Sequence, residues 1–215
     1  MRITFYRFRY IFITLLILWI VGIAVLINIH KGQEVLFLEQ HRNSILNTIF
    51  SSITQLSEFP VYAIIVTILW LSGRKDKALT ILSAGLITVI VSGGLKNFFK
   101  DPRPALYFEL KKSEVELSAV PGVKLNRGYS SYPSGHTMGA FTLFVTLAYL
   151  WPRKHFFGVC CIILGAGVAF SRIYLGQHFL SDVIAGSLVG TYLASFSYFY
   201  IFKKLSKNKT KKQIT

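Results

Sequence analysis

Ser171-Arg172-Ile173-Tyr174-Leu175-Gly176-Gln177-His178-Phe179-Leu180-Ser181-Asp182 is the stretch on which the reading of this chain turns. It sets an arginine, a histidine and a carboxylate between two uncharged apolar runs, 156–170 and 183–202. Ionisable side chains beside apolar segments of near-bilayer length are costly and mark functional sites. Two further clusters interrupt the apolar sequence in the same way. One is Lys96, followed seven residues later by Arg103-Pro104; the other is Pro133-Ser134-Gly135-His136.

Composition agrees with a membrane chain. Hydrophobic residues make up 53% and charged residues 15% of the 215, against about 25% charged in soluble domains. The length is that of one domain, 1–215. Gaps between charges predict six spans, at 11–29, 59–73, 78–95, 137–151, 156–170 and 183–202. The fold expected is all-α, a polytopic bundle of six transmembrane helices. The fourth and fifth spans reach bilayer length only by including the polar motifs, which puts His136 and Arg172 on helix ends. The first span follows Arg2, Arg7 and Arg9; it is too long for the core of a signal peptide and no small-residue cleavage site follows it. Pro60 suits the first turn of the second span, with Ser57 as its cap.

The net charge of +15 raises nucleic acid as a partner, but six basic residues lie in one tail, Lys203 to Lys212, directly after an apolar span. A basic tail at 203–215 attracted to anionic lipid explains them better, and no nucleic-acid partner is expected. With both termini in the cytoplasm, the inner segments hold 14 basic residues and the outer segments seven, leaving aside Lys96, Arg103 and Arg172. The positive-inside rule therefore predicts cytoplasmic termini and places all three clusters on the extracytoplasmic face of a plasma membrane, at the ends of spans three to six. Cys160 and Cys161 are neighbours in an apolar run and read as core filler. His41 and Arg42 read as surface residues of the first outer loop, 30–58. Within the long loop 100–132, the mixed stretch 106–117 reads as an amphipathic helix or as a lid.

The chemistry suggested is phosphoryl transfer. A phosphate ester needs its oxygens neutralised, a nucleophile in line and a protonated leaving oxygen. Lys96, Arg103 and Arg172 supply cations, and guanidinium forks match phosphate oxygens. Ser134 can cap a helix whose first N–H groups face an anion, Gly135 permits close backbone approach, and His136 can donate a proton. His178 and Asp182 are four apart, so on one helix they share a face; they form a carboxylate-oriented nucleophile, a capping pair or two metal ligands. Too few further ligands accompany them for a metal, and no cofactor is expected.

These residues, read as K-x6-RP, PSGH and SR-x5-H-x3-D, resemble the signature of the type 2 phosphatidic acid phosphatase superfamily, which includes vanadium haloperoxidases. All three motifs match without departure, over a core of about 96–182. The resemblance implies that His178 attacks phosphorus to give a phosphohistidine, that Asp182 orients it, and that His136 is the general acid. It implies that Lys96, Arg103, Ser134, Gly135 and Arg172 hold the phosphoryl oxygens, that Ser171 lends at most a supporting contact, and that no metal takes part. The substrate expected is a membrane lipid phosphate or diphosphate: undecaprenyl diphosphate, phosphatidylglycerophosphate, phosphatidic acid or a lipid A phosphate. Rival readings are a lipid phosphotransferase with the same intermediate, a haloperoxidase, and a six-helix lipid or anion transporter.

Overall fold

The computed structural model describes residues 2–111 and 116–206. Its regular elements are helical: α1 (Arg2–Asn28), α2 (Gln33–Gln40), α3 (Ser44–Ile53), a 3-10 turn (Thr54–Ser57), α4 (Phe59–Leu71), α5 (Lys75–Phe99), α6 (Pro104–Leu110), α7 (Gly135–Leu150), α8 (His155–Tyr174) and α9 (Leu180–Phe196), which continues through a π-helical turn at Ser197–Phe202. Four described segments are long and apolar enough to cross a membrane: Phe8–Asn28, Lys75–Leu110, His155–Tyr174 and Leu180–Ser206. A fifth arises if Ser44–Ser57 and Phe59–Leu71, bent by 54° at Glu58, count as one broken span.

The fourth expected span, 137–151, behaves differently. α7 has 16 residues, about 24 Å of helix, short of the roughly 30 Å hydrocarbon core. Every residue from Thr137 to Leu150 is buried. A helix apolar on all sides belongs in the interior, and α7 is the central post against which α5, α8 and α9 pack.

α7 and α9 approach each other closely. A Cβ on Gly186 would stand 2.7 Å from the Ser134 carbonyl oxygen, and one on Gly190 would stand 2.5 Å from that of Met138. Small residues four apart let two backbones approach in this way. Hydroxyl bonds join the neighbours: Thr88 Oγ1 donates to Thr142 Oγ1 at 3.0 Å, Thr142 Oγ1 to Gly190 O at 3.2 Å, and Tyr62 Oη to Gly139 O at 2.7 Å. Phe8 of α1 packs against Tyr149 and Tyr198, so both ends of the described chain meet at the pole opposite the three motifs.

Three local expectations need correction. Residues 30–58 are not a plain surface loop. They carry α2 and α3, with Asn43 capping α3 through a bond from Leu46 N. His41 is exposed as expected, but Arg42 is partly buried; its Nε and Nη2 donate to Tyr174 O at 3.1 and 2.8 Å. Burial holds its guanidinium below the usual value. The residue at the N-cap of α4 is Glu58, not Ser57. In the long loop the helix stops at Leu110, while 112–115 lie outside the described residues. The basic tail beyond residue 206 also lies outside them.

Candidate active site

α8 ends at Tyr174, and Gly176, with φ 66°, turns the chain back on itself. Gln177 N and His178 N both donate to Arg172 O, at 3.0 and 3.2 Å. This tight reversal leaves His178 with no exposed surface. α9 begins only at Leu180, so His178 and Asp182 do not share a helical face as expected. Asp182 instead occupies the third position of α9, where Oδ2 accepts from Phe179 N at 3.0 Å. The same Oδ2 lies 3.4 Å from His178 Nδ1 and accepts from Ser131 Oγ at 2.5 Å. The carboxylate thus serves as helix cap and histidine neighbour together. Among the described residues neither buried ring nitrogen of His178 has a hydrogen-bond partner; Nδ1 faces Asp182 Oδ2, and Nε2 faces no protein group that bonds it. Burial lowers the His178 pKa to about 3, Arg103 and Arg172 push the same way, and Asp182 opposes them. The ring is therefore neutral at pH 7.

Ser134 caps α7 as expected: its Oγ accepts from Thr137 N at 3.4 Å and from Thr137 Oγ1 at 2.9 Å. Its own N–H donates to Asp182 O at 3.0 Å, which stitches the second motif to the third. Gly135 is hemmed in by α5; a Cβ there would meet Ser92 Oγ at 2.9 Å and Lys96 Nζ at 3.1 Å. The first motif reaches the second at this point.

Arg103 and Arg172 are each 7% exposed. Arg103 Nη1 donates to Gln177 O at 3.3 Å and to Gln177 Oε1 at 3.2 Å, and its Nε donates to Ser130 Oγ at 3.2 Å. Arg172 Nη1 donates to Thr54 Oγ1 at 2.9 Å, while its Nε has no hydrogen-bond partner among the described residues. Burial lowers the His136 pKa to about 3, and Arg172, His178, Lys96 and Arg103 push the same way; the free ring is therefore neutral too, and a bound phosphate dianion is the charge that would favour its imidazolium. The structure therefore brings together all eight residues singled out by sequence, around a focus of positive charge suited to a phosphate dianion. Ser171 Oγ donates back to Val168 O. Among the described residues, no group of three His, Cys, Asp or Glu side chains could hold a metal ion.

Four supporting residues escaped the sequence reading. Ser131 and Gln177 sit within or beside the motifs and could have been suspected. Thr54 and Glu58 come from the broken second span and carried no such signal; Glu58 Oε1 lies 3.7 Å from His136 Nε2. Beyond the stretch 106–117 the outer loop is tied to its neighbours at Ser118 and Lys124. Ser118 N and Oγ donate to Glu39 Oε1 at 2.6 Å, Arg42 Nη1 donates to Ser118 O at 2.8 Å, and Gln177 Nε2 donates to Lys124 O at 3.0 Å.

A cavity of about 540 Å³ opens between α4 and α5. Lys96, Gly135 and His136 form its polar end, and Tyr62, Val66, Leu82, Leu86 and Val89 are among its apolar walls. Lys96 and Leu82 are fourteen residues apart on one helix, about 21 Å along α5. His178 does not line this cavity.

The PAP2 superfamily model matches residues 77–206, more than half of the chain, and the chain belongs to that superfamily. It is a membrane protein with an all-helical fold. The undecaprenyl-diphosphatase BcrC of Bacillus subtilis is 28% identical over 162 residues, which cover 74% of this chain and 76% of that one. Among solved structures, Aquifex aeolicus LpxE superposes with a TM-score of 0.66 at 26% identity, covering 76% of this chain and 92% of that one. A transmembrane PAP2-type phosphatidylglycerolphosphate phosphatase from Bacillus subtilis gives 0.64 at 21% identity, covering 91% and 96%; at that identity it supports the fold alone.

Proposed function

We propose that this chain hydrolyses a lipid phosphate or diphosphate through a phosphohistidine on His178. The observation that carries the reading is the cavity: cationic where it meets Lys96 beside His136, and apolar for some 21 Å below them. A ligand that fits it has an anionic head and a long hydrocarbon tail. Lys96, Arg103 and Arg172 take the phosphoryl oxygens, with the first N–H groups of α7 behind Ser134 and Gly135. Neutral His178 attacks phosphorus through its unpartnered Nε2 while Asp182 stabilises the charge that appears on the ring. His136 protonates the departing oxygen and then takes a proton from the water that cleaves the P–N bond. The likeness to BcrC favours undecaprenyl diphosphate among the substrates considered, ahead of phosphatidylglycerophosphate, phosphatidic acid and lipid A phosphate.

We place the site on the extracytoplasmic face of a six-span bundle, with both termini inside, on the distribution of basic residues. Two experiments test these statements. Purified protein in detergent should release inorganic phosphate from at least one of those four lipids; release from none overturns the activity. In a variant with Cys160 and Cys161 replaced by Ala, Lys124→Cys should react with an impermeant thiol reagent outside intact cells. Lys209→Cys should react only after permeabilisation, and the reverse pattern overturns the orientation.

A further inference from the structure

We infer that Glu58 is a positioning residue for His136: it holds the Nε2 side of the ring and supports the imidazolium that must deliver a proton to the leaving oxygen. The inference rests on the phosphatase reading above and adds to it a carboxylate that lies outside all three motifs. Glu58 stands at the N-cap of α4, a position that Ser, Thr, Asp or Asn usually takes to bond the helix's free N–H groups. It makes no such bond. Its Oε1 instead lies 3.7 Å from His136 Nε2. Its chain neighbours Ser57 and Phe59 line the cavity together with His136, so the pair sits at the place where a lipid head would enter.

The charges around His136 make this contact consequential. Lys96 from α5, Arg103 ahead of α6, Arg172 from α8 and His178 ahead of α9 all face it, and none of them favours a second positive ring. Asp182 is already held by Phe179 N, Ser131 and His178. Glu58 is the one carboxylate within ion-pair distance of His136 among the described residues. With Nε2 facing Glu58, Nδ1 remains for the substrate. In the first step the His178 Nε2–P bond forms, the P–O bond breaks, and the His136 proton passes to the departing oxygen. In the second, neutral His136 takes a proton from the attacking water as the N–P bond breaks. Glu58 gives and takes no proton in either step, and the protons balance.

An ordinary half-exposed surface pair would contribute almost nothing, and the two cases separate by leaving group. General-acid catalysis is typically worth 10²–10⁴-fold, and Glu58→Gln should forfeit about tenfold of it on a lipid phosphate. The loss should shrink sharply on p-nitrophenyl phosphate, whose leaving group departs without a proton. The alkaline limb of kcat/KM should move to lower pH, because removing a negative charge makes the imidazolium easier to deprotonate. Glu58→Asp, which keeps the charge, should recover most of the activity, and Glu58→Gln should add nothing in a His136→Ala background. Equal losses on both substrates, no loss on either, or a full additional loss on top of His136→Ala would each overturn the role. A wild-type protein that releases phosphate from neither substrate overturns the phosphatase reading beneath it, an outcome visible before any variant is made.

Discussion

Gly186 of α9 faces the Ser134 carbonyl at the start of α7 so closely that a Cβ on it would stand 2.7 Å from the oxygen. This is where the second and third motifs are held together, and the geometry extends one turn along to Gly190. Gly186→Ala and Gly190→Ala should each destabilise the bundle by about 1–3 kcal/mol, the usual range for overpacking a core. They should also lower activity, although neither residue touches substrate. Gly93→Ala on α5, where a Cβ meets nothing within 4 Å, should leave the unfolding midpoint in detergent unchanged or raised. Equal midpoints for all three variants would count against the close-packing argument.

Ser131 should matter as a support of Asp182. Its hydroxyl donates to a buried carboxylate, and hydrogen bonds to charged groups contribute about 1.5–3 kcal/mol. Ser131→Ala should lower stability and slow phosphoenzyme formation, with the lipid's KM little changed. A change confined to KM would assign Ser131 to substrate binding instead.

The two histidines should fail differently. His178→Ala removes the attacking nitrogen, so acid quench should trap no phosphoenzyme from any substrate. His136→Ala removes only the proton donor, and its deficit should fall on an aryl phosphate of low leaving-group pKa. Phosphohistidine persisting in His178→Ala would exchange the two roles.

Acid should destabilise the protein partly through His178. Its pKa is held near 3 by burial, whereas an unfolded histidine takes up its proton near 6.5. Between those values the unfolded chain binds more protons, so stability falls as pH drops through that window and is unaffected by this group above it. The unfolding midpoint measured from pH 8 to 4.5 should fall less steeply in His178→Gln than in wild type. Identical slopes would show that His178 is not the group responsible.

Phosphate release should survive dialysis against excess chelator and stop on adding vanadate, because Lys96, Arg103 and Arg172 already provide the cationic charge that Mg²⁺ provides in metal-dependent phosphoryl transfer. Activity lost on dialysis and restored by one metal ion would require a different mechanism.

Residue pattern alone carries the class of fold and the chemical inventory. Long uncharged runs can be read locally, because burying an apolar helix in lipid depends on composition and length rather than on partners. The three motifs stand out for the same reason, since charge beside such runs is too expensive to be incidental. Packing between helices sets what local pattern cannot encode. Spacing suggested a helical His178–Asp182 pair, but Gly176 turns the chain first and Asp182 reaches His178 from the capping position of the next helix. α7 looks like any other span in sequence, yet it is the buried centre of the bundle. Thr54, Glu58 and Arg42 approach the site's neighbourhood from a region with no motif at all. Their roles depend on a 54° break between two helices and on contacts more than a hundred residues apart for Thr54 and Arg42. Such contacts are set by how whole helices pack, because backbone approach and side-chain reach across a bundle are properties of the assembled interior rather than of any segment within it.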